Sequence, residues 1–229
     1  MQNQNELKLQ PTTSCDLTQN QKIKDNENDW FKVKLKDLDC SLKGVKINRV
    51  APLNSDNKSE YAKHVQSLAH FFSDRYSNEL NKKDEKEYFY HLFCERARLL
   101  NQPNQNNINL ILEAVQSSNN KILGVVQFKK MGNNEVLLSS LSTDSYNSAR
   151  GIGTQLMIAF LETWPDTQVI HGLVRRENKR AIEIYKHLGA EESDYGDPEV
   201  KRKANAIGMS WSREKIALFK KKYKIQSID

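Results

Sequence analysis

Three short apolar runs that follow one another closely constrain the fold of this chain more than any other feature of its sequence. They cover residues 108–115, 122–128 and 136–141, and clusters of Ser, Asn and Gly separate them. Runs of this length between turn residues predict β-strands. Because the connections are too short to hold a crossover helix, the strands are expected to pair as an antiparallel meander. The chain is therefore predicted to fold around a β-sheet.

Helix and strand patterns on both sides of the meander make the chain an α/β (α+β) protein. Apolar residues spaced three and four apart predict two helices before the meander, around residues 61–72 and 88–100. The same two periodicities predict a strand at 45–50, a helix at 153–162, a strand at 169–174, a helix at 179–188, a strand at 206–211 and a terminal amphipathic helix.

The beginning of the chain has a different composition from the rest. Five Gln and five Asn stand among residues 1–29, with few apolar residues and no periodicity. Such a segment cannot bury enough surface to offset the entropy of ordering. We therefore expect a flexible polar tail over residues 1–29, followed by a single domain over residues 30–229. Within that domain, residues 31–35 alternate in the manner of a short edge strand.

The hydropathy of the chain bears on its location in the cell. The longest uninterrupted apolar run, residues 156–161, has six members, whereas a membrane-spanning helix needs roughly 20. The first residues lack both the basic and the apolar segment of a secretory signal. We expect a cytoplasmic protein without a membrane span.

Positive charge is concentrated at the C-terminal end. The chain carries a formal charge of +6, and residues 201–229 hold nine Lys or Arg against two acidic residues. A solvated basic helix face explains this pattern, and contact with an anionic partner is the alternative. Aromatic residues are not interleaved as on a single-strand-binding surface, so nucleic acid is not the expected partner. The His and Cys residues lack ligand spacing, so no metal is expected.

The segment Ser148-Ala-Arg-Gly-Ile-Gly-Thr154 separates a predicted strand from an apolar helix. Glycines at 151 and 153 allow a close approach to main-chain amides, which form an anion site with the helix dipole. Arg150 adds a positive charge, so the segment suits a diphosphate. It is neither a dinucleotide fingerprint, since Leu156 replaces the third glycine, nor a P-loop, since Gly-Lys-Ser/Thr is absent. A simple tight turn before a helix is the alternative.

A second pattern covers residues 178–190. Asn178 suits a helix N-cap and Gly189 suits the position after the helix end. Asn178, Ala181 and Tyr185 are three and four residues apart, so they share one helix face. The small residue between two polar ones leaves a slot for an extended ligand. The alternative is a capped helix whose Tyr185 packs in the core.

Together, the two patterns resemble the GNAT superfamily of acetyl-CoA-dependent N-acetyltransferases. The resemblance rests on Arg-Gly-x-Gly-Thr and Asn-x-x-Ala-x-x-x-Tyr-x-x-x-Gly and covers about residues 108–190. It implies a mixed, mostly antiparallel central sheet with helices on both faces. It also implies acetyl-CoA as cosubstrate and an amine acceptor, either a small molecule or a protein lysine or N-terminus. Two positions depart from the family pattern: Ser148 stands where Gln or Arg is usual, and Ala190 replaces an aromatic residue.

The resemblance assigns cosubstrate-binding roles to a strand edge, the glycine corner and the second helix. These positions are Leu141, Ser142, Thr143, Ala149, Arg150, Gly151, Ile152, Gly153, Thr154, Asn178 and Tyr185. It also implies that Tyr185 protonates the departing CoA thiolate. The alternative from another class is a catalytically silent module that binds acyl-CoA as a sensor or scaffold. Nucleic-acid association through the basic C-terminus is a third reading.

The amine acceptor must lose a proton before it attacks, so a base is needed. Glu135, at the start of the third meander strand, is the leading candidate, and Glu113 on the first is the second. Period-two counting places Glu135, Leu137, Ser139, Leu141 and Thr143 on one face of their strand.

Overall fold

The computed structural model describes residues 44–50, 58–98, 109–144 and 151–225. The expected tail over residues 1–29 and the strand candidate at 31–35 lie outside this part of the chain. The strands are β1 (Val45–Arg49), β2 (Asn109–Gln116), β3 (Ile122–Gly132), β4 (Glu135–Thr143), β5 (Val169–Arg175), β6 (Glu191–Ser193) and β7 (Ala206–Trp211). The helices are α1 (Lys58–Glu79), α2 (Lys86–Arg98), α3 (Ile152–Thr163), α4 (Lys179–His187), α5 (Pro198–Lys203) and α6 (Arg213–Lys222).

The seven described strands form one sheet in the order β1-β2-β3-β4-β5-β7-β6. Strand β2 pairs with β3, and β3 pairs with β4, both in antiparallel orientation. The short connections between these strands predicted this arrangement. Strand β4 pairs with β5 in parallel, because α3 carries the chain back across the sheet. The other pairings are antiparallel. The predicted mixed, mostly antiparallel sheet is confirmed.

Helices cover both faces of this sheet. On the first face, α1 and α2 bury aromatic residues such as Phe72 and Phe93 against Ile111 and Val125 of the strands. On the second face, the ring of Phe160 in α3 stacks on Phe128 of β3 at 3.8 Å between centroids. We call these the α1–α2 face and the α3 face. The side-chain contacts of these helices show on which face of the sheet a strand residue lies.

Helix α3 approaches the sheet closely because Gly124 of β3 has no side chain. A Cβ at this position would lie 2.7 Å from Cγ2 of Ile152 and 3.2 Å from Cδ1 of Leu156. Eight of the twelve residues of α3 are buried, which explains why the helix reads as an apolar run. Its first turn is therefore fixed against the sheet.

Helix α4 has the ends that its sequence predicted. The side chain of Asn178 accepts a hydrogen bond of 3.0 Å from the amide of Ala181. Gly189, just after the helix, has φ +96°, a left-handed conformation that favours glycine. None of the described helices has the length and apolarity needed to cross a membrane.

Candidate functional site

Strands β4 and β5 pair over only part of their length. Their register runs from Glu135 opposite Val169 to Leu138 opposite Gly172. Beyond that point β4 continues against β3 as far as Thr143, and β5 continues against β7 as far as Arg175. Among the described residues, no pairing joins residues 139–143 to β5. The two strands thus open into a split, and the predicted edge Leu141–Thr143 lines it.

The glycine corner follows the open end of β4. Gly151 has φ +105° and immediately precedes α3, a conformation that is strained for any residue with a Cβ. A Cβ added to Gly153 would meet nothing within 4 Å, so the side of the first helical turn is open there. The first amides of a helix lack intrahelical partners and lie at the positive end of its dipole. The geometry fits a phosphate group. Ser148, Ala149 and Arg150 lie outside the described residues.

The two other predicted positions in this turn differ in exposure. Ile152 is buried, with its side chain against the Gly124 position, so only its main chain is available to a ligand. Thr154 is half-buried. The corner therefore presents main-chain groups rather than large side chains.

A β-bulge divides β4 into two halves. Gln127 and Phe128 are consecutive in β3, yet they pair with Ser140 and Leu138, so β4 carries Ser139 as an extra residue. Arg96 of α2 donates hydrogen bonds from Nη1 to the Ser139 carbonyl and, at 2.8 Å, to the Ser140 hydroxyl. The guanidinium therefore provides a partner for the carbonyl of the extra residue.

The bulge corrects the prediction that Glu135, Leu137, Ser139, Leu141 and Thr143 share a face. Directly paired residues of an antiparallel sheet point to the same side. Thr143 pairs with Gly124, which faces α3, whereas Leu137 pairs with Lys129, on the side opposite Phe128. Leu141 and Thr143 therefore lie on the α3 face. Glu135 and Leu137 lie on the α1–α2 face, because the extra residue breaks the alternation.

Tyr185 belongs to the α3 face. Its ring meets that of Trp211 edge-on at 5.3 Å between centroids. Trp211 pairs with Ile170, which lies on the same side of β5 as Gly172, and Gly172 is opposite Leu138 on the α3 face. The indole nitrogen of Trp211 donates to the Leu188 carbonyl at 3.1 Å. Tyr185 is 8% exposed. Tyr185 lies on the same side of the sheet as the glycine corner, whereas Glu135 lies on the other side.

Glu135 does not stand alone on the α1–α2 face. One of its carboxylate oxygens lies 3.6 Å from Nε2 of His171 in β5. His171 Nδ1 is 2.8 Å from the hydroxyl oxygen of Ser210 in β7. No local pattern predicts this contact, because a histidine without ligand spacing has no visible relation to a distant glutamate in the sequence. The clue lies in the pairing of three strands, which only the fold supplies.

Glu113, the second candidate base, is two strands away from the split. It is buried on β2, where it accepts a 3.0 Å hydrogen bond from Asn48 and lies 3.1 Å from Nε2 of His64. Burial works to raise the pKa of Glu113, but the hydrogen bonds from His64 and Asn48, together with the positive charges of His64 and Lys46, outweigh it, so the pKa is lowered. Glu113 has no contact with the other predicted residues in the part of the chain that the structure describes.

Asp144 anchors the end of β4 just before the glycine corner. It is fully buried, and its carboxylate lies 3.1 Å from a guanidinium nitrogen of Arg75 in α1 and 3.4 Å from the Lys121 ammonium. Its amide donates to the Leu123 carbonyl at 2.7 Å. The segment that leads to the corner therefore starts from a fixed point.

Comparison with known proteins agrees with this geometry. The model of the acetyltransferase (GNAT) family matches residues 65–190, more than half of the chain. The chain therefore belongs to the GNAT acetyltransferase family. The family resemblance predicted from its two motifs is confirmed.

Solved structures share the fold. The PaiA N-acetyltransferase of Thermoplasma acidophilum, in complex with coenzyme A, has 18% identity and a TM-score of 0.52 over 73% of this chain and 98% of its own. An acetyltransferase of Streptococcus agalactiae 2603 has 13% identity and a TM-score of 0.51 over 75% of this chain and 99% of its own. At these identities the likeness concerns the fold. No curated protein sequence matches this chain.

Proposed function

We propose that this chain is an N-acetyltransferase that moves an acetyl group from acetyl-CoA to a primary amine by direct attack on the thioester. The acceptor class is a small amine, a protein lysine or a protein N-terminus. The observation that carries the proposal is the split that opens beyond Leu138 and Gly172 and leads to the glycine corner at Gly151. Membership of the GNAT family supports the same reaction class.

The chain's main-chain groups would hold the cosubstrate. The amides at Gly151, Ile152, Gly153 and Thr154 would bind the diphosphate, as expected at an open helix N-terminus, with Ala149 and Arg150 beside them. The free edge of β4 at Leu141, Ser142 and Thr143 would pair with the extended pantetheine arm. Asn178 caps α4 and fixes the helix that carries Tyr185.

The same strand edge would also stabilise the transition state. An amide of β4 that donates to the thioester oxygen opposes the charge that develops there, an effect typically worth about 10²–10³ in rate. Tyr185 would protonate the departing thiolate. Its position on the α3 face, shared with the glycine corner, supports this role.

The acceptor needs a base, because a free amine has a pKa of about 10 and is charged at neutral pH. Glu135 is the proposed base. It is about half exposed and lies on the α1–α2 face. Acid and base would then act from opposite faces of the sheet, with the thioester between them in the split.

A thiol-release assay tests this function. Purified protein is mixed with acetyl-CoA and a panel of amines, and free CoA thiol is measured. An N-acetyltransferase releases thiol only when an acceptor is present. A silent module that binds acyl-CoA is the second candidate, since Ser148 replaces the usual Gln or Arg. It would bind acetyl-CoA without releasing thiol.

A further inference from the structure

Four strands, β4 to β7, bring together a series of contacting side chains around His171 on the α1–α2 face. His171 Nε2 lies 3.6 Å from Glu135, and Nδ1 lies 2.8 Å from the hydroxyl of Ser210. The Ser210 hydroxyl lies 2.8 Å from that of Ser193 in β6. The Tyr195 ring stacks on the imidazole at 4.2 Å and 7° between planes. The imidazole is thus held in one orientation by partners from β4, β6, β7 and the segment after β6.

We infer that His171 is the group that takes the proton from the acceptor amine, with Ser210 as the residue that positions it and Glu135 as the acceptor of a second N–H of the ammonium. This inference rests on the proposed N-acetyltransferase function and replaces a lone Glu135 by a pair. Histidine is the side chain best suited to carry protons near neutral pH. Among the described residues, Glu135 from β4 and Tyr195 from the segment after β6 are the titratable groups with a contact to the imidazole. The register also places Glu191 of β6, opposite Ser210, and Lys129 of β3, opposite Leu137, on this face.

The location of His171 supports this role. It is directly opposite Leu137, one residue before the β4–β5 pairing ends. The imidazole therefore lies beside the closed end of the split, toward which a thioester that enters from the glycine corner would extend. Leu173, the next β5 residue on this face, is 39% exposed. The His171 side chain is itself 17% exposed, so part of the imidazole is accessible from this face.

The hydrogen bonds leave Nε2 available to an amine. The amide of Tyr195 donates to the Ser193 hydroxyl oxygen at 3.4 Å, and Ser193 has a further lone pair for the Ser210 proton. The 2.8 Å distances permit the arrangement that the scheme uses, in which Ser210 accepts from His171 Nδ1–H and donates to Ser193. Nε2 then carries a lone pair when a substrate ammonium lies between it and Glu135. Two acceptors 3.6 Å apart attract a bound ammonium, whose N–H groups donate to both.

The protons balance in this scheme. The ammonium gives one proton to His171 Nε2, and the neutral nitrogen attacks the thioester carbon. The C–S bond breaks as the N–C bond forms, and Tyr185 protonates the thiolate. The nitrogen of the newly formed amide then gives up a second proton to solvent. A proton from solvent returns to Tyr185, so the tyrosine is neutral again. His171 releases the first proton past Glu135 to solvent, so one proton is released per turnover.

The test compares His171→Gln with a matched control. His91 on α2 also lies 3.6 Å from a glutamate, Glu87, but both are exposed on a helix surface. We expect His171→Gln to lower kcat by about 10²-fold or more and to leave acetyl-CoA binding unchanged. The rate of the His171→Gln variant should keep rising with pH, because the deprotonated fraction of the amine increases. His91→Gln should match the wild type in kcat and pH profile.

Two further variants keep the inference testable if His171→Gln does not fold. Ser210→Ala removes the Nδ1 partner and should lower kcat with a shifted pH profile and unchanged acetyl-CoA binding. Added imidazole should restore part of the activity of His171→Ala. Wild-type kcat and pH profile in His171→Gln, or in Ser210→Ala if the former is unfolded, would overturn the inference and leave the proposed function standing. A wild-type protein that releases no thiol with any amine would overturn both.

Discussion

Glu135 and Thr143 belong to the same strand, eight residues apart, but their side chains lie on opposite faces of the sheet. Strict alternation would place them on one face. Ser139 is an extra residue between them and shifts the alternation of side chains by one position. Arg96 donates a hydrogen bond to the carbonyl of Ser139. Strand β4 therefore presents Glu135 to the α1–α2 face and Thr143 to the glycine corner side. A single strand can serve the acceptor and the cosubstrate from two directions.

Removing the guanidinium of Arg96 should destabilise the bulge. Arg96→Met leaves the Ser139 carbonyl and Ser140 hydroxyl without this donor, which typically costs about 1–3 kcal/mol for buried polar groups. Denaturant unfolding measures the loss, and turnover should fall with it because the bulge sets the face of Glu135. Arg202→Met on the exposed part of α5 is the control and should change little. Equal stability of the two variants would contradict this account of the bulge.

Replacing Tyr185 by Phe tests the proposed acid. The ring contact with Trp211 is kept, so the fold and acetyl-CoA affinity should change little. Turnover should fall by about 10²-fold or more if the hydroxyl protonates the thiolate. Steady-state kinetics and calorimetry with acetyl-CoA separate the two effects. Tyr223→Phe, beside Phe219 at the end of α6, is the matched control. Undiminished turnover of Tyr185→Phe would rule out the acid role.

Asp144 should matter more for stability than any exposed ion pair. Its carboxylate is fully buried between Arg75 and Lys121, and the loss of one partner of a buried pair typically costs about 3–5 kcal/mol. Asp144→Ala should lower the free energy of unfolding by about that amount. Glu199→Ala breaks the exposed pair with Lys203 and should cost less than about 1 kcal/mol. Similar losses from both variants would show that Asp144 is not an anchor.

The pair formed by His64 and Glu113 predicts a pH-dependent stability. Hydrogen bonding to Glu113 raises the pKa of His64 above its ordinary 6.5. This contribution is full below that value and is lost as pH rises through the raised pKa. The pKa of Glu113 is lowered from its ordinary 4.5, against the opposing effect of burial. That contribution is full above 4.5 and is lost as pH falls through the lowered pKa.

Both contributions are therefore present between pH 4.5 and 6.5. Unfolding free energies of the wild type and His64→Gln should differ most in this window and converge on either side. Because His64 is partly exposed, the difference should not exceed about 1 kcal/mol. His91→Gln, whose partner Glu87 is fully on the surface, should follow the wild type. A constant difference across pH would mean that the ion pair contributes nothing.

Most of the fold could be predicted because its signals are local. The meander follows from short turns, and the ends of α4 follow from Asn178 and Gly189. Strand β6 and helix α5 were not predicted, since three and six residues are too few to show a period. Asp197 and Pro198, which begin α5, carried a cap signal that could have been used.

The site was predictable only where it depends on neighbours in sequence. The glycine corner and Tyr185 belong to local motifs. The bulge at Ser139 depends on how β3 pairs with β4, and a serine in an alternating strand gives no sign of it. The contact of His171 with Glu135 and Ser210 needs three strands side by side. Long-range pairing of this kind is fixed by the sheet order and not by the residues themselves.

The most direct measurement of the central claim is calorimetry of acetyl-CoA binding to two variants of one glycine. A Cβ at Gly153 meets no protein atom within 4 Å, so Gly153→Ala should fold normally, and its uncharged methyl group should weaken acetyl-CoA binding less than a carboxylate does. Gly153→Asp places a carboxylate where the helix dipole favours it, so the fold should hold, but the charge repels a diphosphate. We predict a loss of affinity of at least about tenfold, or about 1.4 kcal/mol. Equal affinity of both variants, or no heat with the wild type, would contradict a diphosphate site at this corner.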